Sequence, residues 1–168
     1  MQTRIRPEQE GDAAAIEAVT MAAFANAPHS DQTEQFIVRE LRHAGALAIS
    51  LVAEREGRII GHVAVSPVQV GDGSPGWYGL GPISVAPAAQ GQGIGSRLMT
   101  AALQGLRDIG AEGCVLLGEP AFYARFGFEA AGRLELPGVP PEYFQALAFR
   151  ESTAHGIVRY HPAFEARA

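Results

Sequence analysis

The sequence predicts an α/β fold built on one mixed, twisted sheet with helices on both of its faces. Segments with helical spacing of apolar residues are interleaved with Val- and Ile-rich segments that read as strands. Along the chain the order is a strand, two helices, three strands, a helix, a strand, a short helix and closing strands. No internal repeat, low-complexity tract or long linker interrupts this order. The 168 residues are therefore expected to form a single domain, 1–168, large enough to bury a substantial core.

Each element has its own signal. Thr3–Arg6 reads as a short strand, after which Gly11-Asp12 can cap a helix running to about Phe24 with Ile16, Val19 and Ala23 on one face. Asp31 and Glu34 have the spacing of a capping box; Ile37, Leu41 and Ala44 follow at helical intervals, and Gly45 stops this second helix. Ile49 to Val70 reads as a hairpin of two long strands turning at Glu56-Gly57, and Gly79 to Val85 as a further strand. From Gly93 to Ile109 the apolar set Ile94, Leu98, Ala102, Leu106 and Ile109 opposes the polar set Arg97, Thr100, Gln104, Arg107 and Asp108, the clearest helical pattern in the chain. A buried strand at Cys114–Leu117 and a short helix through Phe122, Tyr123 and Phe126 follow. Strands near Phe128–Ala130, Phe144–Phe149 and Ile157–Tyr160 complete the set, with Pro137–Pro141 as a loop.

Composition narrows the function. With 47% hydrophobic and 18% charged residues the chain is far from the signature of disorder. A formal net charge of -5, with no window of concentrated basic residues, lacks the electrostatic footprint of a nucleic-acid or anionic-membrane binder. The single cysteine, Cys114, lies in an apolar run and reads as a small buried hydrophobe; one cysteine allows no disulfide within the chain, and no metal site is expected. Met1 to Pro7 lacks the apolar core of a signal peptide and no apolar stretch is long enough to span a bilayer, so the expected compartment is the cytoplasm.

The chemistry is carried by Pro87-Ala88-Ala89-Gln90-Gly91-Gln92-Gly93-Ile94-Gly95, placed between a strand and the clearest helix. A helix N-terminus leaves backbone N–H groups unpaired and carries a partial positive charge, and glycines let the main chain approach phosphate oxygens closely. The guest this favours is a phosphate or pyrophosphate. A P-loop requires Gly-Lys-Ser/Thr, and the chain contains no lysine. A dinucleotide fingerprint requires G-x-G-x-x-G directly after the strand, whereas Ser96 occupies the third glycine position and Ala86 to Gln90 intervene. A glycine-rich turn that merely joins strand to helix is the remaining alternative.

The loop resembles the Q/R-x-x-G-x-G/A signature of the GNAT N-acetyltransferases, matched by Gln90, Gly93 and Gly95 in the strand-loop-helix context of that family. A second match follows: Tyr123-Ala124-Arg125-Phe126-Gly127-Phe128 resembles the family's Y-x-x-x-G-F, one helix and one strand downstream. The likeness takes in Ile5-Arg6-Pro7, Gly61-His62-Val63 and Leu80 to Val85. Gly118-Glu119-Pro120 and Leu136 to Phe144 are similar to the YhbS-like bacterial branch.

The resemblance implies a GNAT fold with strands splayed at an acetyl-CoA site, and direct transfer of the acetyl group to an amine. A bulged strand would pair with the pantetheine arm through Ile83, Ser84 and Val85, the Val85 amide polarising the thioester carbonyl. Gln90, Gly91, Gln92, Gly93, Ile94, Gly95 and Ser96 would hold the pyrophosphate. Tyr123 would lie against the cofactor and protonate the departing thiolate as general acid, the competing reading being a packing tyrosine. Glu119 is the candidate general base, against a solvated strand-end carboxylate. His62, mid-strand with Ser66 on the same face, reads as a satisfied core histidine, and Trp77 and Tyr78 as core rather than as the lining of an acceptor cleft. The implied partner is a small-molecule or peptide amine, and a homodimer is common in the family. Two other classes compete: a non-catalytic acyl-CoA-binding module, which the presence of Tyr123 disfavours, and a Rossmann-type oxidoreductase, which the missing third glycine disfavours.

Overall fold

The computed structural model describes residues 2–28 and 30–168. Strand β1 (Thr3–Pro7) is followed by helices α1 (Ala13–Phe24) and α2 (Glu34–His43), then by β2 (Ile49–Arg55), β3 (Arg58–Pro67), the two-residue β4 (Gln69–Val70) and β5 (Trp77–Val85). Helix α3 (Ile94–Asp108), β6 (Gly113–Leu117) and the single turn α4 (Pro120–Tyr123) come next. β7 (Glu129–Ala130), β8 (Leu134–Glu135), β9 (Phe144–Ala148) and β10 (Gly156–Arg159) close the chain. Seven strands form the main sheet in the order β1-β2-β3-β5-β6-β9-β7, and β4, β10 and β8 form a second, small one. Pairing is antiparallel throughout the main sheet except between β5 and β6, which makes it mixed.

Both faces are covered. On one, α3 lays Ile94, Leu98, Met99, Ala102, Leu103 and Leu106 against Ala53, Val63, Val65 and Leu116 of the sheet. On the other, Ile16 of α1 and Val38 of α2 meet Val52 and Ala64, the side chains that alternation sends to the opposite face. The β2–β3 hairpin turns through Glu56 (φ 52) and Gly57 (φ 76), the pair of positive φ values that a two-residue type I′ turn requires. Among the described residues no helix is long and apolar enough to cross a membrane.

Several expectations are corrected. The Asp31–Glu34 capping box does not form: α2 begins at Glu34, whose carboxylate accepts from the Ser30 hydroxyl at 2.7 Å, while Ser30 itself accepts from the Gln32 amide. Asp12 stands at the N-cap of α1 without capping it, because its carboxylate is taken by the Gln9 amide and by Arg6. The second hairpin strand stops at Pro67, and Gln69–Val70 turns away to pair with β10. Ile109 ends exposed at 54%, one position past the last turn that faces the sheet. β5 starts two residues earlier than expected, at Trp77, which places Trp77 in the core under the small sheet. Phe149 and Tyr160 each fall just outside their strands.

Candidate active site

The site is built where two neighbouring strands part. β5 and β6 pair only from Trp77 to Gly79 against Gly113 to Val115. Beyond that point β6 pairs with β9 alone, and β5 runs on from Leu80 to Val85 beside β3. At roughly 3.3 Å per residue, those six residues leave about 20 Å of strand edge open. Between Val63–Val65 of β3 and Leu80–Ile83 of β5 the register shifts by one residue, which places a bulge on β5 at Gly81-Pro82.

Which backbone groups face the gap follows from alternation. The Ala86 amide bonds back to the Ile60 carbonyl at 2.8 Å, so Ala86 and Ser84 turn their main-chain groups toward β3, and Ile83 and Val85 turn theirs into the gap. The Val85 carbonyl accepts from the Gln90 side chain at 3.1 Å, which ties the loop to the strand end. Ser84 points its hydroxyl out of the gap into the layer beneath α1 and α2, where it is buried and unpaired among the described residues.

A short 3-10 turn (Pro87–Ala89) leads from β5 to the loop. Gly91 (φ 79) and Gly93 (φ 80) hold left-handed conformations that a side chain would strain, and no atom lies within 4 Å of where their Cβ atoms would stand. Gly93 is the N-cap of α3 and supplies no side chain, so the first amides of the helix, those of Ile94, Gly95 and Ser96, are left for an anion. These residues line a cleft of about 360 Å³ together with Val85, Phe122 and Arg125, and among the described residues no acidic side chain borders it.

On the β6 side, Glu119 is the N-cap of α4, and its carbonyl accepts from the Phe122 and Tyr123 amides. Its side chain is exposed, two residues beyond the end of β6. Tyr123 is half-buried: its ring lies so close over Gly118 that a Cβ there would run into the Tyr123 Cε2 atom, and it meets Phe122 and Phe128 edge-on. Burial pushes the Tyr123 hydroxyl above its ordinary pKa, so it holds its proton at neutral pH. The expected site residues thus divide between the two walls of one gap: Ile83, Val85 and Gln90 to Ser96 on the β5–α3 wall, Glu119 and Tyr123 on the β6–α4 wall.

His62 is only half of what was expected. It is fully buried, but among the described residues one of its two ring nitrogens has no partner. Ser50 donates to Glu8 at 2.6 Å and accepts from His62 Nε2 at 2.9 Å, which assigns the ring proton to Nε2 and leaves Nδ1 bare. Arg42 holds the far side of Glu8 through two bonds of 2.8 Å. Burial pushes His62 down to about 4, so the ring is neutral. Cys114 is buried and its thiol pushed up by burial, in keeping with an inert packing role. Among the described residues no group of three or more His, Cys, Asp or Glu side chains is placed to hold a metal ion.

Reading the sequence did not single out Phe122 and Arg125 as part of this wall. The signal was present: both lie in the Y-x-x-x-G-F segment and the preceding turn, and in a chain without lysine arginine is the one side chain that offers an anion a permanent positive charge.

Comparison with known proteins agrees with this geometry. Residues 46–130 match the family described as Acetyltransferase (GNAT) domain, a span that runs from just before β2 to the end of β7. The chain is 36% identical to the uncharacterized N-acetyltransferase YhbS of Escherichia coli K12, over 95% of this chain and 97% of that one. Among solved structures, a GNAT family acetyltransferase from Brucella melitensis in complex with acetyl-CoA is 50% identical, with a TM-score of 0.87 over 97% of this chain and 98% of that one. YhbS from Escherichia coli in complex with CoA gives a TM-score of 0.89 at 34% identity, over 100% of this chain and 94% of that one. A mixed sheet parted at two parallel strands, a glycine loop opening a helix beside the gap, and sequence likeness along the whole chain together establish that this protein belongs to the GNAT family of acetyltransferases.

Proposed function

We propose that this protein is a single-domain enzyme, residues 1–168, that transfers the acetyl group of acetyl-CoA directly to a primary amine of a small molecule or peptide. The observation that carries this reading is the open edge of β5, whose Ile83 and Val85 main-chain groups face the gap and lead straight to the uncapped N-terminus of α3. A pantetheine arm adds to that edge as a further strand, and its pyrophosphate meets the amides of Gly91 to Ser96. Two relatives were solved with CoA or acetyl-CoA, which supports the same donor here. The amine attacks the thioester carbon, an oxyanion forms opposite the Val85 amide, and collapse expels the thiolate. A preorganised backbone donor of this kind is worth about a hundredfold to a thousandfold in rate. Tyr123 gives the thiolate its proton, and the attacking nitrogen loses its own to Glu119 directly or through water.

The donor site is tested by Gly95→Val. In the present structure a Cβ on Gly95 meets only the Val85 Cγ2 atom, at an ordinary 3.9 Å, and φ there is not positive. The fold therefore tolerates the change, whereas Gly93→Val strains the loop itself. The valine methyl groups stand where the pyrophosphate must approach the amides, so acetyl-CoA affinity should fall about tenfold or more while the melting temperature moves by only a few degrees. Titration calorimetry on a folded Gly95→Val protein with undiminished affinity would remove the loop from the site.

The base is tested separately. An ammonium has no lone pair, so turnover should rise with pH up to the point at which the amine is already neutral. Glu119→Gln keeps the shape and removes the proton acceptor, which should shift the acidic limb of the kcat/KM profile upward and leave acetyl-CoA binding as it was. A profile that overlays the parent's assigns the proton to water and leaves the transfer reaction unaffected.

A further inference from the structure

We infer that Arg125 is a specificity residue for the acyl donor: its guanidinium meets the cofactor pyrophosphate from the wall opposite the glycine loop, so that the site prefers phosphate-bearing CoA thioesters to phosphate-free pantetheine thioesters. The inference rests on the donor reading above and adds to it a residue that the family's motif leaves unspecified. Arg125 borders the same cleft as Gln90, Gly91 and Gly93 to Ser96 while coming from the far side of the gap, in the turn after α4. Its guanidinium lies over the Phe122 ring, 4.8 Å from the centroid, and Phe122 borders the cleft as well. The stack holds the cation at the cleft wall and removes part of the entropy that a free arginine would lose on binding.

Charge accounting points the same way. All thirteen basic residues of the chain are arginines. Arg4, Arg6, Arg39, Arg42 and Arg150 are committed to carboxylates of the protein itself. Arg125 makes no ion pair among the described residues, and the cleft it borders has no acidic side chain to repel an anion. The chain as a whole is acidic, at -5, so a polyanionic cofactor meets net repulsion except where a local cation offsets it. Backbone amides at the start of α3 supply one face of a pyrophosphate site; a planar guanidinium supplies bidentate donors to the other.

The test uses binding alone and needs no acceptor. CoA, 3′-dephospho-CoA and pantetheine are titrated calorimetrically into the parent protein, Arg125→Ala and Arg125→Lys. Binding of CoA to the parent is the donor reading's own requirement; if the parent fails to bind CoA, that reading falls and not merely Arg125. Given binding, Arg125→Ala should weaken CoA and 3′-dephospho-CoA about equally, by about tenfold at low salt, and leave pantetheine unchanged. The CoA loss should shrink as salt is raised, because Arg125 is exposed. Arg125→Lys should recover only part of the loss, since it keeps the charge and loses the fork. An equal loss for pantetheine would make Arg125 a packing residue of α4. A loss confined to CoA and absent for 3′-dephospho-CoA would place the guanidinium on the ribose phosphate instead and overturn the pyrophosphate contact. Undiminished CoA affinity in Arg125→Ala would overturn the inference altogether.

Discussion

Replacing Tyr123 by phenylalanine should lower turnover by about a hundredfold and leave acetyl-CoA affinity within a factor of two. The two parts of that expectation come from different atoms of one residue. The ring makes the packing: it fills the space over Gly118 that no other residue type would leave open, and stands edge-on to Phe122 and Phe128. Phenylalanine keeps all of that, so neither the α4 wall nor the cleft behind it should change. The hydroxyl carries the chemistry in the proposed mechanism. Burial holds it protonated across the neutral range, as a group that must deliver a proton to a leaving thiolate has to be. Without it the thiolate leaves unprotonated or borrows a proton from water. The measurement is kcat and KM for an identified amine, with thiol release followed in time. A kcat within a factor of two of the parent would return Tyr123 to a packing role, and the acid would have to be sought elsewhere on the β6 wall.

Much of this wall and its partner was legible because local pattern and tertiary role coincide. Helix α3 has one apolar stripe, and the sheet it covers is long enough to bury all of that stripe except Ile109, which lies past the last turn in contact. The glycine loop was legible for the same reason: the donors it offers are backbone amides, and glycine at positions 91, 93 and 95 is visible in the sequence itself. The small sheet of β4, β8 and β10 was legible only in β10, since β4 and β8 have two residues each, too few to show alternation, and β4 joins β10 by pairing Val70 with Val158 across more than 80 residues of chain. The start of α2 was misread because Asp, Ser and Glu compete for the same few amides, and only the three-dimensional turn decides that Ser30 wins. Arg125 was missed because its place at the cleft depends on an opposite wall more than 25 residues earlier in the chain. His62 depends on a still more distant contact, with Glu8 joined to it through Ser50.

That chain of contacts predicts how the protein responds to acid. Unfolded, His62 titrates near its ordinary 6.5; folded, burial holds it down to about 4. A histidine whose folded pKa is depressed contributes its stability in full above the unfolded value, and the contribution is lost as pH falls from 6.5 toward 4, because the unfolded chain binds the proton more readily. The full difference corresponds to about 3 kcal/mol, most of it gone by pH 4.5. Carboxylates held low by their partners, Glu8 and Glu54 from an ordinary 4.5 and Asp12 and Asp72 from 3.8, add their own losses mainly below that point, so the two effects separate in pH. Urea unfolding of the parent protein should accordingly show stability flat from pH 8 to about 7 and falling steeply from 6.5 to 4.5. His62→Gln keeps a donor near Ser50 and has no proton to bind, so its stability should be lower at pH 7 but nearly level across the same window. If the variant loses stability between pH 6.5 and 4.5 as steeply as the parent, the acid sensitivity belongs to other groups and not to the exclusion of a proton from the buried ring.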